Sequence, residues 1–132
     1  IHLVINARTD VYFGEQRSVT EKFDEAVARA NAYLSAGADC AFVIAVSDTA
    51  AIAELVREIH GPVNIIAGSP ALDINTLARL GVKRISLAGG LARHVLGGFK
   101  AALEEIRDNG TTGFLGEGLA HPELNRLYGD SD

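Results

Sequence analysis

The chain has 132 residues, enough for one domain with a real core. Apolar residues make up 48% and charged residues 22%, the balance of an ordinary soluble globular protein; the formal charge of −5, with scattered Lys and Arg, argues against nucleic acid as a partner. No apolar run approaches the roughly 20 residues of a membrane helix, no secretory leader is visible, and a single cysteine, Cys40, rules out an internal disulfide. A cytoplasmic protein with no membrane partner is the default expectation. The chain opens on Ile1 rather than Met and enters a strand almost at once, which reads as a segment of a longer chain or a mature product.

In chain order, the apolar run from Leu3 breaks abruptly into Asn6, Arg8, Thr9 and Asp10, predicting a strand over Leu3–Arg8 with polar groups at its carboxyl end. After a polar loop, Val11–Arg17, Ser18 and Glu21 form the S-x-x-E pattern that opens a helix. Phe23, Ala26, Val27, Ala30 and Leu34 line one face of that helix, and Gly37 stops it. A second strand is expected over Cys40–Val46, where Cys40 reads as a small buried hydrophobe. Ser47 or Asp48 can cap the next helix, striped by Ile52, Leu55, Val56 and Ile59 and ended by His60-Gly61-Pro62. A third strand over Val63–Ala67 leads to a short helix capped by Asp73, with Ile74, Leu77 and Leu80 on one face and Gly81 after it. A fourth strand over Arg84–Leu87 turns at Gly89-Gly90 into a helix carrying Leu91, Val95, Leu96, Phe99, Leu103 and Ile106, ended by Gly110. The residues beyond read as a loosely ordered extension whose apolar anchors, Phe114 to Tyr128, pack on something else.

This rhythm is four consecutive βα units over 1–110 and an extension over 111–132. The strands are short, β-branched and apolar on both faces, so they read as parallel and covered. Four such units suit either half of a (βα)8 barrel or an open doubly wound sheet. The barrel is favoured because no G-x-G-x-x-G follows any strand and because polar residues end several strands, as a barrel's site requires.

Arg8 is the foremost candidate for chemistry. A guanidinium at a strand end is costly unless paired, and its planar fork suits a carboxylate or phosphate. Alternation puts Asn6, Arg8 and Asp10 on one strand side, pointing together into the barrel or its mouth; the plainer reading is an internal Arg8–Asp10 ion pair. Ser47 reads first as a cap. Gly68-Ser69 and Gly89-Gly90 suit loops whose backbone N–H groups hold phosphate, although glycine also simply lets a βα loop turn. His2, His60, His94 and His121 have no partner at metal-ligand spacing, and no nucleophile elbow is present.

INARTD, EAVARANAYLSAGAD, FV..VSD, GPVNIIAG, LGVKRISLAGGLAR and EEIRDNGTT, in that order, resemble the isocitrate lyase / phosphoenolpyruvate mutase superfamily. The resemblance runs from about Leu3 to Phe114 and is nearest to the phosphoenolpyruvate phosphomutase-like and carboxyvinyl-carboxyphosphonate phosphorylmutase-like branch. It implies a (βα)8 TIM barrel, of which these units would be strands five to eight, the carboxyl-terminal half. It further implies an enzyme acting on small α-keto or α-hydroxy carboxylates or phosphonates through an enolate bound to Mg²⁺, with Arg8 holding the substrate carboxylate; Asn6, Asp10, Ser47 and Gly68, at the strand ends, are the further substrate-binding candidates. The Mg²⁺ ligands would lie in the amino-terminal half. A homo-oligomer is expected, since helix exchange is a habit of the family. Where many relatives have Pro-Gly, this chain has Ile44-Ala45, and it has no glutamate between Asp39 and Asp48, which argues against an isocitrate-type lyase. The alternatives are a phosphate-binding barrel using Gly68-Ser69 and Gly89-Gly90, and a non-catalytic half-barrel inactive alone.

Overall fold

In the computed structural model of the chain, residues 1, 3–13, 18–68 and 72–129 are described. His2, Ser69 and part of the Val11–Arg17 loop lie outside them. The chain packs as two compact units, Ile1–Ala88 and Gly89–Asp132.

The first unit holds β1 (Asn6–Thr9), α1 (Val19–Ser35), β2 (Cys40–Val43), α2 (Thr49–Glu58), β3 (Val63–Ile66), α3 (Ile74–Arg79) and β4 (Arg84–Ser86). The strands form one sheet in the order β1-β2-β3-β4, each pair parallel. The βα rhythm and the parallel pairing are as the sequence predicts.

Local chemistry explains the boundaries. The Ser18 hydroxyl accepts the Glu21 N–H (3.2 Å) while the Glu21 carboxylate accepts the Ser18 N–H (2.8 Å), closing the capping box at the start of α1. Asp48, rather than Ser47, caps α2 by accepting the Ala51 N–H at 2.7 Å, and Asp73 caps α3 through the Thr76 N–H at 2.7 Å. The latter bond, first among several, holds the Asp73 carboxyl below the usual carboxylate range. Gly37 and Gly81 take φ values of +104° and +89° just past α1 and α3, a conformation that a side chain opposes.

Alternation along the strands sorts the sheet into two unlike faces. Thr9, Ala41, Val43, Val63 and Ile65 are buried together with Ala26 and Ala30 of α1, Ile52 and Leu55 of α2 and Leu77 of α3. Removing a side chain such as Leu55 from water stabilises the fold by about 1.5–3 kcal/mol. The opposite face carries Asn6, Arg8, Asn64, Arg84 and Ser86 beside Cys40, Phe42 and Ile66. The expectation of strands apolar on both faces is therefore corrected: helices cover one face, and the other is largely polar.

Two further differences have physical causes. Leu3, Val4 and Ile5 are exposed and precede β1, because ladder pairing with β2 begins only at Asn6 and Cys40. Ile5 instead donates its N–H to the Asp39 carboxylate at 2.8 Å. Ile74 is exposed at 62%, since a helix as short as α3 turns only Leu77 fully inward.

In the second unit, α4 (Gly90–Asn109) ends at Gly110, whose φ of 65° makes the left-handed cap. None of its residues is buried; Leu91, Val95, Leu96 and Phe99 are all more than 60% exposed. The extension is not loosely ordered. It forms a 3-10 turn, Gly113–Gly116, and then α5 (His121–Tyr128). The Glu105 carboxylate fastens the turn to α4 by accepting the Thr111 hydroxyl (2.7 Å) and the N–H groups of Gly113 (2.6 Å) and Phe114 (3.3 Å).

Candidate active site

Arg8 stands near the carboxyl end of β1, on the face away from the helices. Its Nε donates to Asp10 Oδ1 at 2.5 Å, and its Cζ lies 5.7 Å from the centre of the Phe13 ring, within cation–π range. The Arg8 and Asp10 side chains are 49% and 60% exposed, so the pair itself adds little to stability. Among the described residues, the terminal Nη groups of Arg8 carry no hydrogen bond or ion pair. The Phe13 N–H bonds to the Asp10 carbonyl at 2.9 Å, bending the chain so that the ring comes back to the guanidinium.

Asn6 lies two residues earlier on the same face, and its buried Oδ1 has no hydrogen-bond partner among the described residues. Neighbouring strands continue this face. In register, Arg8 faces Phe42, Phe42 faces Asn64, and Asn64 faces Arg84. Asn64 is fully buried and exchanges hydrogen bonds with Ser86: its amide Nδ2 donates to Ser86 Oγ at 2.9 Å, and Ser86 Oγ donates back to Asn64 Oδ1 at 3.2 Å. Neither residue is singled out by the sequence reading. The signal was there: an amide inside an otherwise apolar strand, VNII, is costly to bury without a partner and so marks a polar network.

Ser47 and Gly68 come together. With Ala45, Val46, Ile66 and Leu72 they line a hollow of about 190 Å³ at the carboxyl ends of β2 and β3. Asn6, Arg8 and Asp10 do not line it. Two of the flanking backbones are strained: Ala45, after β2, has φ 67°, and Ala88, after β4, has φ 47°. On the helical side of the same strand ends, Tyr12 and Asp48 line a separate cleft of about 300 Å³ between the first turns of α1 and α2. Burial, and then the Asp48 charge, push the Tyr12 phenol above its ordinary value.

Cys40 is buried, which raises its thiol pKa and suits a packing role rather than a nucleophilic one. Among the described residues, no group of three or more His, Cys, Asp or Glu side chains could hold a metal ion. The described residues do not fit a magnesium site. Among the described residues, no helix is long and apolar enough to cross a membrane.

A parallel sheet with helices on one face, a polar opposite face and charged groups at the strand ends is the architecture of part of a (βα)8 barrel. The sequence profile of the phosphoenolpyruvate phosphomutase family matches residues 1–107, and the chain belongs to that family, within the isocitrate lyase / phosphoenolpyruvate mutase superfamily. Two uncharacterized proteins of Mycobacterium tuberculosis, from strains CDC 1551 / Oshkosh and ATCC 25618 / H37Rv, are each 42% identical over 82 residues, covering 62% of this chain and 30% of their own length. A candidate lyase/mutase of Burkholderia cenocepacia J2315 superposes with a TM-score of 0.81 at 36% identity, over 96% of this chain and 45% of that one. A candidate phosphonomutase of the same strain gives 0.72 at 33%, over 77% and 42%. Oxaloacetate acetylhydrolase bound to its product oxalate gives 0.77 at 19%, over 98% and 44%, a likeness of fold alone. The chain thus spans less than half the length of each of these relatives.

Proposed function

We propose that the protein to which this chain belongs is a lyase or mutase acting on a small α-keto or α-hydroxy carboxylate or a phosphonate, through an enolate, with Arg8 gripping the substrate carboxylate. One observation carries the reading: at the carboxyl end of β1, Arg8 is held at Nε by Asp10 while, among the described residues, its Nη groups have no partner. A guanidinium so placed can form two parallel charge-assisted bonds to a carboxylate and stabilise negative charge developing beside it. Asn6 and Asp10 flank it, and Ser47 and Gly68 shape the neighbouring hollow. Family membership supports the reaction class. Mg²⁺, if held by ligands in the amino-terminal half of the whole protein, would supply the enolate's counter-charge.

Arg8→Lys tests the reading in the full-length enzyme. Lysine keeps the charge and loses the fork. A hydrogen bond to a charged group contributes about 1.5–3 kcal/mol, so kcat/KM should fall on the order of tenfold to a hundredfold while the melting temperature holds. Unchanged kcat/KM with a lowered melting temperature would make Arg8 a structural residue.

A second reading is a phosphate site built from backbone N–H groups. Gly89, at the N-cap of α4, has no side chain with which to satisfy the first-turn N–H groups, which would suit an anion. Affinity for a phosphosugar that survives Arg8→Lys would support it.

A further inference from the structure

The guanidinium of Arg8 offers five N–H donors in one plane. Asp10 takes the one at Nε, and the Phe13 ring lies against the group 5.7 Å from Cζ. Both constraints come from the short turn that follows β1, and that turn is closed by a backbone bond, Phe13 N–H to Asp10 C=O at 2.9 Å, which needs neither side chain. Among the described residues, nothing engages the far edge of the guanidinium, the two Nη atoms. An arginine on a half-exposed site would otherwise sample many rotamers, and each one frozen on binding costs affinity.

We infer that Asp10 and Phe13 are positioning residues. They hold Arg8 at its Nε edge and at its face, so that the substrate carboxylate meets a preset end-on fork of Nη1 and Nη2. This rests on the reading of Arg8 as the carboxylate ligand. It changes the role of Asp10, which acts through Arg8 instead of touching substrate, and it gives Phe13 a role. It also sets the ligand geometry: a planar carboxylate bound through both oxygens at the end of the guanidinium, the Nε side being taken. A tetrahedral phosphonate would fit the same edge less well.

The opposite effect is also physically possible, because a carboxylate beside Arg8 can compete with the substrate's own. The sign of one measurement separates the two. Oxalate binding to the full-length protein is measured by titration calorimetry, in magnesium-containing buffer, for wild type, Arg8→Lys, Asp10→Ala, Phe13→Leu and Phe13→Tyr, with melting temperatures alongside. Positioning predicts that Asp10→Ala and Phe13→Leu each weaken oxalate binding about threefold to tenfold at unchanged melting temperature, less than a full charged hydrogen bond because the site is half open to water. Phe13→Tyr, which keeps the ring face, restores wild-type affinity. Tighter binding in Asp10→Ala makes Asp10 a competitor and overturns the inference. Unchanged binding in both variants, with Arg8→Lys still impaired, overturns it and leaves the carboxylate reading standing. Oxalate binding that is absent in the wild type, or unaffected by Arg8→Lys, removes that reading and the inference with it.

Discussion

Ala45 holds a φ of 67° where only glycine is at ease, and a left-handed residue with a Cβ costs roughly 1–2 kcal/mol. Glycine also gains freedom in the unfolded chain, which offsets part of the relief. Ala45→Gly should therefore stabilise by about 0.5–1 kcal/mol, read as a higher urea midpoint at unchanged slope. A lower midpoint would show that the strain is absent in solution. Asn64 makes the complementary case. Its amide is fully buried and leans on one hydroxyl, so Ser86→Ala should cost about 1–3 kcal/mol by leaving it unpaired. A loss below 0.5 kcal/mol, well under the ~1 kcal/mol of an ordinary intramolecular hydrogen bond, would mean that water replaces the hydroxyl.

At the scale of elements, the Glu105 clasp makes the tail sensitive to acid. The Thr111 hydroxyl, and then the Gly113 and Phe114 N–H groups, hold this carboxyl below its ordinary value. A group whose folded pKa is depressed stabilises above its unfolded pKa and loses that contribution as pH falls through the folded one. Protection of the Gly113 and Phe114 amides from hydrogen exchange should thus be full at neutral pH, fall below the usual glutamate range, and be weak at all pH values in Glu105→Gln. Protection that ignores both pH and the substitution would rule the clasp out. Capping patterns such as Ser18-x-x-Glu21 and stripes such as Ile52-Leu55-Ile59 were legible because they encode local bonds and one apolar face. The strand candidates were legible for the same reason. Three features were not. Leu3–Ile5 look like a strand by composition, but pairing depends on a neighbour 34 residues away, as the Ile5–Asp39 bond shows. The polar face was hidden because strands of three or four residues offer too few alternations to read. The ordering of the tail depends on Glu105 reaching eight residues forward to Gly113, which no helical or strand period announces. Of the candidate site, the Arg8–Asp10 pair was legible from i, i+2 spacing; the meeting of Ser47 with Gly68 needed the parallel register.

For the whole molecule, the sheet ends at β1 and β4, so each of these strands pairs with a neighbouring strand on one side only among the described residues. Open edges and the exposed apolar side chains of α4 invite association. The 132-residue stretch alone should sediment as a dimer or larger species; a stable, well-folded monomer would contradict this. It should also show no turnover of phosphonopyruvate or oxaloacetate with added magnesium, and turnover that survives repurification would reveal metal ligands beyond the described residues. The two-faced sheet has a consequence for how such a protein can vary. Each strand interleaves two vocabularies, one letter apart. Ala41, Val43, Val63 and Ile65 answer to the helices, whereas Asn6, Arg8, Asn64 and Ser86 answer to whatever the other face encloses. A library that randomises every strand position and selects separately for abundance and for catalysis should split into alternating stripes. Descendants of one scaffold could then exchange their chemistry at every second residue while inheriting the fold through the residues between.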